Sequence, residues 1–157
     1  MKFSVFLLCF GMLGACKSHK IVADKGKINT ITSIPQAIFA LEMTPCYGTC
    51  PSYKVVVFEN DSLTYEGMRH VAKEGKMSKK LPKGTVNKLV EKFKAANFFK
   101  FQNQYTSNIS DFPTTYISFT NGGITKKIMD YYKAPESLKQ VEKLISDLVK
   151  EEVEIKK

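Results

Sequence analysis

The sequence predicts a single α+β domain in which an antiparallel sheet built from hairpins carries two helices packed on one face. Three observations carry that expectation. Short runs of β-branched and aromatic residues come in pairs, joined by the turn residues Asn60-Asp61-Ser62 and Asn121-Gly122-Gly123. Two longer segments repeat apolar residues at helical spacing. A hairpin separates those segments, which argues against a parallel sheet of alternating strand and helix.

From Ala37 to Met43, Phe39, Leu41 and Met43 alternate with Ala40 and Glu42, the period of a half-buried strand. Tyr53 to Glu59 turns at Asn60-Asp61-Ser62 into Leu63 to Met68, a hairpin. Arg69 to Leu81 reads as an exposed strand pair or arm broken at Gly75, with the lysines between Lys73 and Lys80 on a solvated edge. Val86, Leu89, Val90 and Phe93 mark a first helix that starts around Pro82, Gly84 and Thr85 and ends near Asn97. Phe98, Phe99 and Phe101 are expected to pack beneath its end, and Gln102 to Pro113 reads as a loop. Thr114 to Thr120 and Ile124 to Asp130 form the second hairpin. Ala134-Pro135-Glu136 opens a second helix, because a proline in the first turn lacks only an N–H that has no helical partner. Leu138, Val141, Leu144, Ile145 and Leu148 make its apolar stripe. The domain thus covers residues 37–150, and 151–157 read as a charged tail that frays.

Residues 1–15 read as an address. Lys2 supplies the positive start, Phe3 to Leu13 is an apolar run short for a membrane span, and Gly14-Ala15 are the small residues that a signal peptidase needs. Leu13-Gly14-Ala15-Cys16 resembles a bacterial lipobox, which implies a lipoprotein signal peptide, cleavage before Cys16 and acylation of that cysteine with palmitate-class chains. Each buried acyl CH₂ is worth about 0.8 kcal/mol, so two or three chains hold a protein almost permanently. The expected partner is therefore the lipid bilayer, reached through Cys16. The expected location is the bacterial cell envelope, and Lys17 in place of Asp leans towards the outer membrane. Residues 16–36 read as the lipidated cysteine and a flexible, lysine-rich tether. His19 within it is a poor metal ligand.

The formal charge is +9, and Arg69 is the only arginine. A lysine coat without guanidinium forks fits anionic headgroups better than phosphate and base readout, so no nucleic-acid partner is expected.

Cys46 and Cys50 lie four apart between Pro45 and Pro51, with Gly48 allowing the turn. An oxidising compartment favours a structural disulfide. Closing so short a loop removes about 2 kcal/mol of chain entropy, so the bridge would shape the turn more than hold the fold. A redox-active dithiol, a soft-metal site and unpaired thiols remain open alternatives. The metal alternative is specific: Cys46-Tyr-Gly-Thr-Cys50-Pro is similar to the copper motif of Sco-type copper chaperones, with His70 as third ligand and Met43, Met68 and Met77 as possible thioethers. Those chaperones carry it on a thioredoxin-like fold, which the strand and helix order here does not match.

Thr44-Pro-Cys-Tyr-Gly-Thr-Cys-Pro-Ser-Tyr53, then Thr64-Tyr-Glu-Gly67, Asp111-Phe-Pro-Thr-Thr115 and Asp130-Tyr-Tyr132, together resemble an uncharacterised bacterial family known as a domain of unknown function. The resemblance spans roughly Phe39 to Leu148 through a TPCxGTCPxY signature. It implies a frequent lipoprotein context and brings no activity, cofactor or catalytic residue.

Other chemistry is thin. A Ser-His-Asp arrangement would have to use His70, and neither a nucleophile elbow nor a phosphate-cradling glycine loop occurs. Asp111, Asp130 and Glu66 would make a carboxylate site if the fold gathered them, although acids beside turns commonly cap backbone N–H groups. Tyr131 and Tyr132 beside Asp130, with Tyr47 and Asp111, are the candidate recognition surface. The expected role is a membrane-anchored envelope lipoprotein whose domain binds an unknown envelope protein or ligand, or acts structurally, without catalysis or cofactor. The alternative is a thiol-redox or copper-binding envelope protein using Cys46 and Cys50.

Overall fold

A computed structural model describes residues 34–154. The leader, Cys16, His19 and the tether up to Ser33 lie outside the described residues, as do 155–157.

The chain forms seven strands: β1 (Ala37–Met43), β2 (Ser52–Phe58), β3 (Ser62–Arg69), β4 (Gly75–Lys80), β5 (Gln104–Tyr105), β6 (Thr115–Asn121) and β7 (Ile124–Asp130). They form one sheet in the order β4-β3-β2-β1-β6-β7-β5. The central strand is β1, which pairs antiparallel with β2 on one side and β6 on the other. Its inward residues Phe39 and Leu41 face the same way as Val55, Val57, Leu63, Ile117, Phe119 and Ile128, all buried.

Two helices cover that face, α1 (Thr85–Ala95) and α2 (Glu136–Val149). Phe93 of α1 meets Phe39 at 4.6 Å and Phe119 at 5.3 Å between ring centroids. Ser146 of α2 accepts a hydrogen bond from the Tyr53 hydroxyl at 3.2 Å. Asp61, in the β2–β3 turn, accepts from the N–H groups of Gly84 at 2.9 Å and Val86 at 2.8 Å and so caps α1 from a distant turn. Burial alone would push its carboxyl up, but those two donors, with Lys80 and Lys83 nearby, hold it below the usual range.

The fold is α+β with a mixed sheet, a correction to the purely antiparallel expectation. Within the expected loop Gln102 to Pro113, Gln104 and Tyr105 run parallel to Met129 and Asp130 of β7. Two residues without an alternating pattern carry no local signal for such a pairing. Arg69 to Leu81 contributes one edge strand, β4, because 70–74 is a turn passing over Gly67, where a Cβ would collide with the Lys73 carbonyl. Pro135 stands just outside α2, and its carbonyl accepts from Leu138 and Lys139. Residues Lys150–Glu154 are no frayed tail. They continue α2 as a π-helical turn in which Val153 is buried and Glu152 pairs with Lys79 at 2.5 Å, so the packed domain extends past residue 150. Of the three phenylalanines after α1, Phe98 is buried, whereas Phe99 is 39% exposed against Phe119.

Strand direction gives the sheet two ends. At one, the chain enters β1 and the tight turns at 59–61 and 122–123 lie. At the other, β1 gives way to Thr44–Pro51, β3 to 70–74, β7 to 131–135, and 106–114 leads into β6.

Candidate functional site

The longer loops all belong to the second end, and the register aligns them. Met43 pairs with both Tyr53 and Thr115, and Thr115 in turn with Asp130. Thr44 and Thr114 lock two loops together: Thr44 N–H donates to the Thr114 carbonyl at 2.9 Å, and Thr114 N–H to the Thr44 hydroxyl at 2.8 Å. Cys46 and Cys50 form a disulfide, with their Cα atoms 5.6 Å apart. The turn it closes holds Tyr47 out in solvent, 94% exposed. Phe112, 50% exposed, lies edge-on to Tyr131 at 6.3 Å and to Tyr132 at 5.7 Å.

Beneath the loops lies a charged cluster. Asp130 ends β7 at the inward parity set by Ile128, and its side chain is fully buried. Glu142 occupies the inward stripe of α2 between Leu138, Val141 and Ile145 and is also buried. Lys139 reaches both, in an ion pair with Asp130 and at 3.4 Å from Glu142. Burial first, and then the negative charge of Asp130, push the Glu142 carboxyl up to about 8 against the opposing pull of Lys139. Burial lowers the affinity of Lys139 for its proton, but the hydrogen bond to Asp130 and the two acids outweigh it, so its ammonium is held above the usual range. With its carboxyl pushed up to about 8, Glu142 favours the neutral form at pH 7, and its contact with Lys139 is then a polar one and not a full ion pair.

Two adjoining chambers open along α2. One, about 400 Å³, is lined by Phe112, Tyr131, Lys139, Glu142 and Lys143 among others. The other, about 380 Å³, lies beside Pro51, Tyr53, His70 and Val71. Met43, Ser146 and Lys150 line both.

The candidate recognition residues divide. Tyr47 and Asp111 are exposed, Asp111 at a left-handed φ of 74° with Ser110 donating to its carboxylate at 3.1 Å. Tyr131 and Tyr132 are half-buried, and the Tyr131 hydroxyl donates to the Ile109 carbonyl. Asp130 is a correction: it is a buried charge paired with Lys139 and forms no part of an exposed surface. Asp111, Asp130 and Glu66 do not meet. Glu66 points from the opposite face of the sheet, where Lys76 pairs with it at 3.4 Å. In the disulfide form Cys46 and Cys50 offer no thiolate. Among the described residues no three His, Cys, Asp or Glu side chains, His70 included, gather to hold a metal ion. Lys139 and Glu142 were not candidates from sequence, although an acid inside an apolar stripe at helical spacing was a signal for the latter.

Three of the four motifs that resemble the uncharacterised family, Thr44–Tyr53, Asp111–Thr115 and Asp130–Tyr132, lie at this end, and the fourth, Thr64–Gly67, reaches it only at Gly67, opposite Tyr53. No curated protein matches the chain. The model of a family described as a domain of unknown function, DUF6438, matches residues 37–149, from the start of β1 to the end of α2, and the chain belongs to that family.

Proposed function

We propose that the protein is a lipid-anchored envelope protein, acylated at Cys16 and held at the outer membrane, whose domain binds an envelope partner or ligand without catalysing a reaction on it. The observation that supports this reading most is the polarity of the sheet. The chain arrives at β1 by way of the tight-turn end, while the disulfide-closed turn, Tyr47 and Phe112 project from the other. The loop end is therefore the end of the sheet opposite the one at which the chain enters it. The surface there is aromatic with a polar surround, a composition that serves recognition.

Metabolic labelling with an alkyne analogue of palmitate tests the anchor. Label is expected on the native chain and absent from Cys16→Ser, and an unlabelled native chain would contradict the reading. Capture from native membranes tests the domain: a partner held by the native protein is expected to be lost with Tyr47→Ala/Phe112→Ala.

The second reading is a thiol-redox or copper-binding protein. One observation favours it: His70 and Pro51 line the same chamber, next to Cys50. It requires the disulfide to open readily, so it predicts reduction by millimolar glutathione and Cu(I) binding that Cys46→Ser abolishes. The structural reading predicts a bridge that resists glutathione.

A further inference from the structure

The chamber beside the cysteine turn is walled by Met43, Pro51, the Tyr53 ring, Val71 and Val149, and Lys150 stands where it joins its neighbour. Its volume of about 380 Å³ takes roughly ten to fifteen non-hydrogen atoms, at the roughly 30 Å³ that a water claims in the liquid. That is the scale of a small-molecule site: an apolar body with few polar groups.

Charge selects among guests of that size. Lys139 is engaged by Asp130 and Lys143 by Asp147 at 2.5 Å, whereas among the described residues no carboxylate pairs with Lys150. Two acids line the adjoining chamber: the Glu142 carboxyl is pushed up to about 8, which favours its neutral form at pH 7, and the charge of Asp147 is offset by Lys143. A cationic guest would meet three lysines along α2. A neutral one would leave the Lys150 ammonium without a counter-charge.

We infer that this groove binds an amphipathic carboxylate of about ten carbons, its carboxylate at Lys150 beside Ser146 and its chain in the chamber of Met43, Tyr53, Val71 and Val149. The inference rests on the binding role proposed above and names a ligand class for it.

The test uses the isolated domain, residues 34–157, because every core residue among those described lies between Phe39 and Val153. Titration of the ¹⁵N-labelled domain with sodium decanoate, below its micellar concentration, is expected to shift the amides of Met43, Val71 and Val149 saturably. Lys150→Ala weakens binding about tenfold, the worth of one charge-assisted hydrogen bond, and decanol binds correspondingly less well than decanoate. From hexanoate to decanoate each added methylene tightens binding by roughly fourfold. Ala72→Trp, on an exposed turn at the chamber mouth, blocks it without touching the core. Non-saturable shifts, an unchanged affinity in Lys150→Ala, or equal binding of decanol or decylamine would overturn the inference. So would tighter binding of an acetylated Leu-Val-Leu peptide, which would make the groove a reader of peptide C-termini. If decanoate fails while Tyr47-dependent capture persists, the ligand class is wrong and the binding role stands; if both fail, that role falls too.

Discussion

The two halves of the inner face are built from different materials. Towards the tight turns the contacts are aromatic: Phe39 stacks on Phe119 at 5.1 Å, and Phe93, Phe98 and Phe99 close around them. Towards the loops the floor is two buried acids bridged by the half-exposed Lys139, overhung by two chambers and closed by a stapled turn. Dense apolar packing supplies stability. A polar, hollow half contributes less of it and offers surface that another molecule can fill. The contrast argues that one end holds the domain together so that the other can be spent on recognition.

Breaking the aromatic half should have the largest effect. Phe39→Ala is expected to cost about 3–5 kcal/mol, read by urea denaturation, because Phe93 and Phe119 cannot both move into the space. Tyr47→Ala, in solvent at the other end, is expected to change stability by less than about 0.5 kcal/mol. Equal losses would erase the distinction between the halves.

The charged floor comes next. Lys139→Met leaves Asp130 buried without its partner and should cost about 3 kcal/mol at pH 7, whereas the double change Asp130→Asn/Lys139→Met should recover most of that. Recovery in the double variant is the signature of a paired buried charge, and additive losses would argue against one.

Glu142 sharpens the comparison through pH. Its folded carboxyl lies near 8, above the ordinary value of 4.5, so the folded state binds the extra proton between those limits. Stability therefore falls as pH rises from about 5 to beyond 8, and the full penalty is present only above that range. Glu142→Gln should flatten the slope and raise stability at pH 9 by about 2 kcal/mol, measured by thermal melts across the range. A native slope unchanged in the variant would place the titrating group elsewhere.

The smallest global effect is expected at the staple. Reducing Cys46–Cys50 should lower stability by no more than about 2 kcal/mol while increasing hydrogen exchange across Thr44–Pro51.

The same division governs what the sequence reveals. The tight-turn half is legible because local chemistry specifies it: Asn121-Gly122-Gly123 forces a hairpin, with both glycines at positive φ, and β6 and β7 follow from alternation. The loop half depends on contacts between distant residues. Asp130 reads as a turn acid because it ends a strand, and only the inward parity and the arrival of Lys139 from α2 make it a buried ion. β5 exists because β7 offers a free edge to two residues with no pattern of their own. Glu142 was visible as a misplaced charge within an apolar stripe, but its partner was not. The cysteine turn was legible as a bridge through its spacing and the oxidising compartment expected for it, while its lock to Thr114 runs through a threonine hydroxyl that nothing local marks.

The claim that the loop end is the working end is tested most directly by site-specific photocrosslinking in living cells. A photoreactive residue is placed either at Tyr47 or at Ile124, which is 66% exposed at the opposite end of the sheet. The account predicts a discrete crosslinked species from position 47 and none from position 124. The same species from both positions, or one from 124 alone, would contradict it.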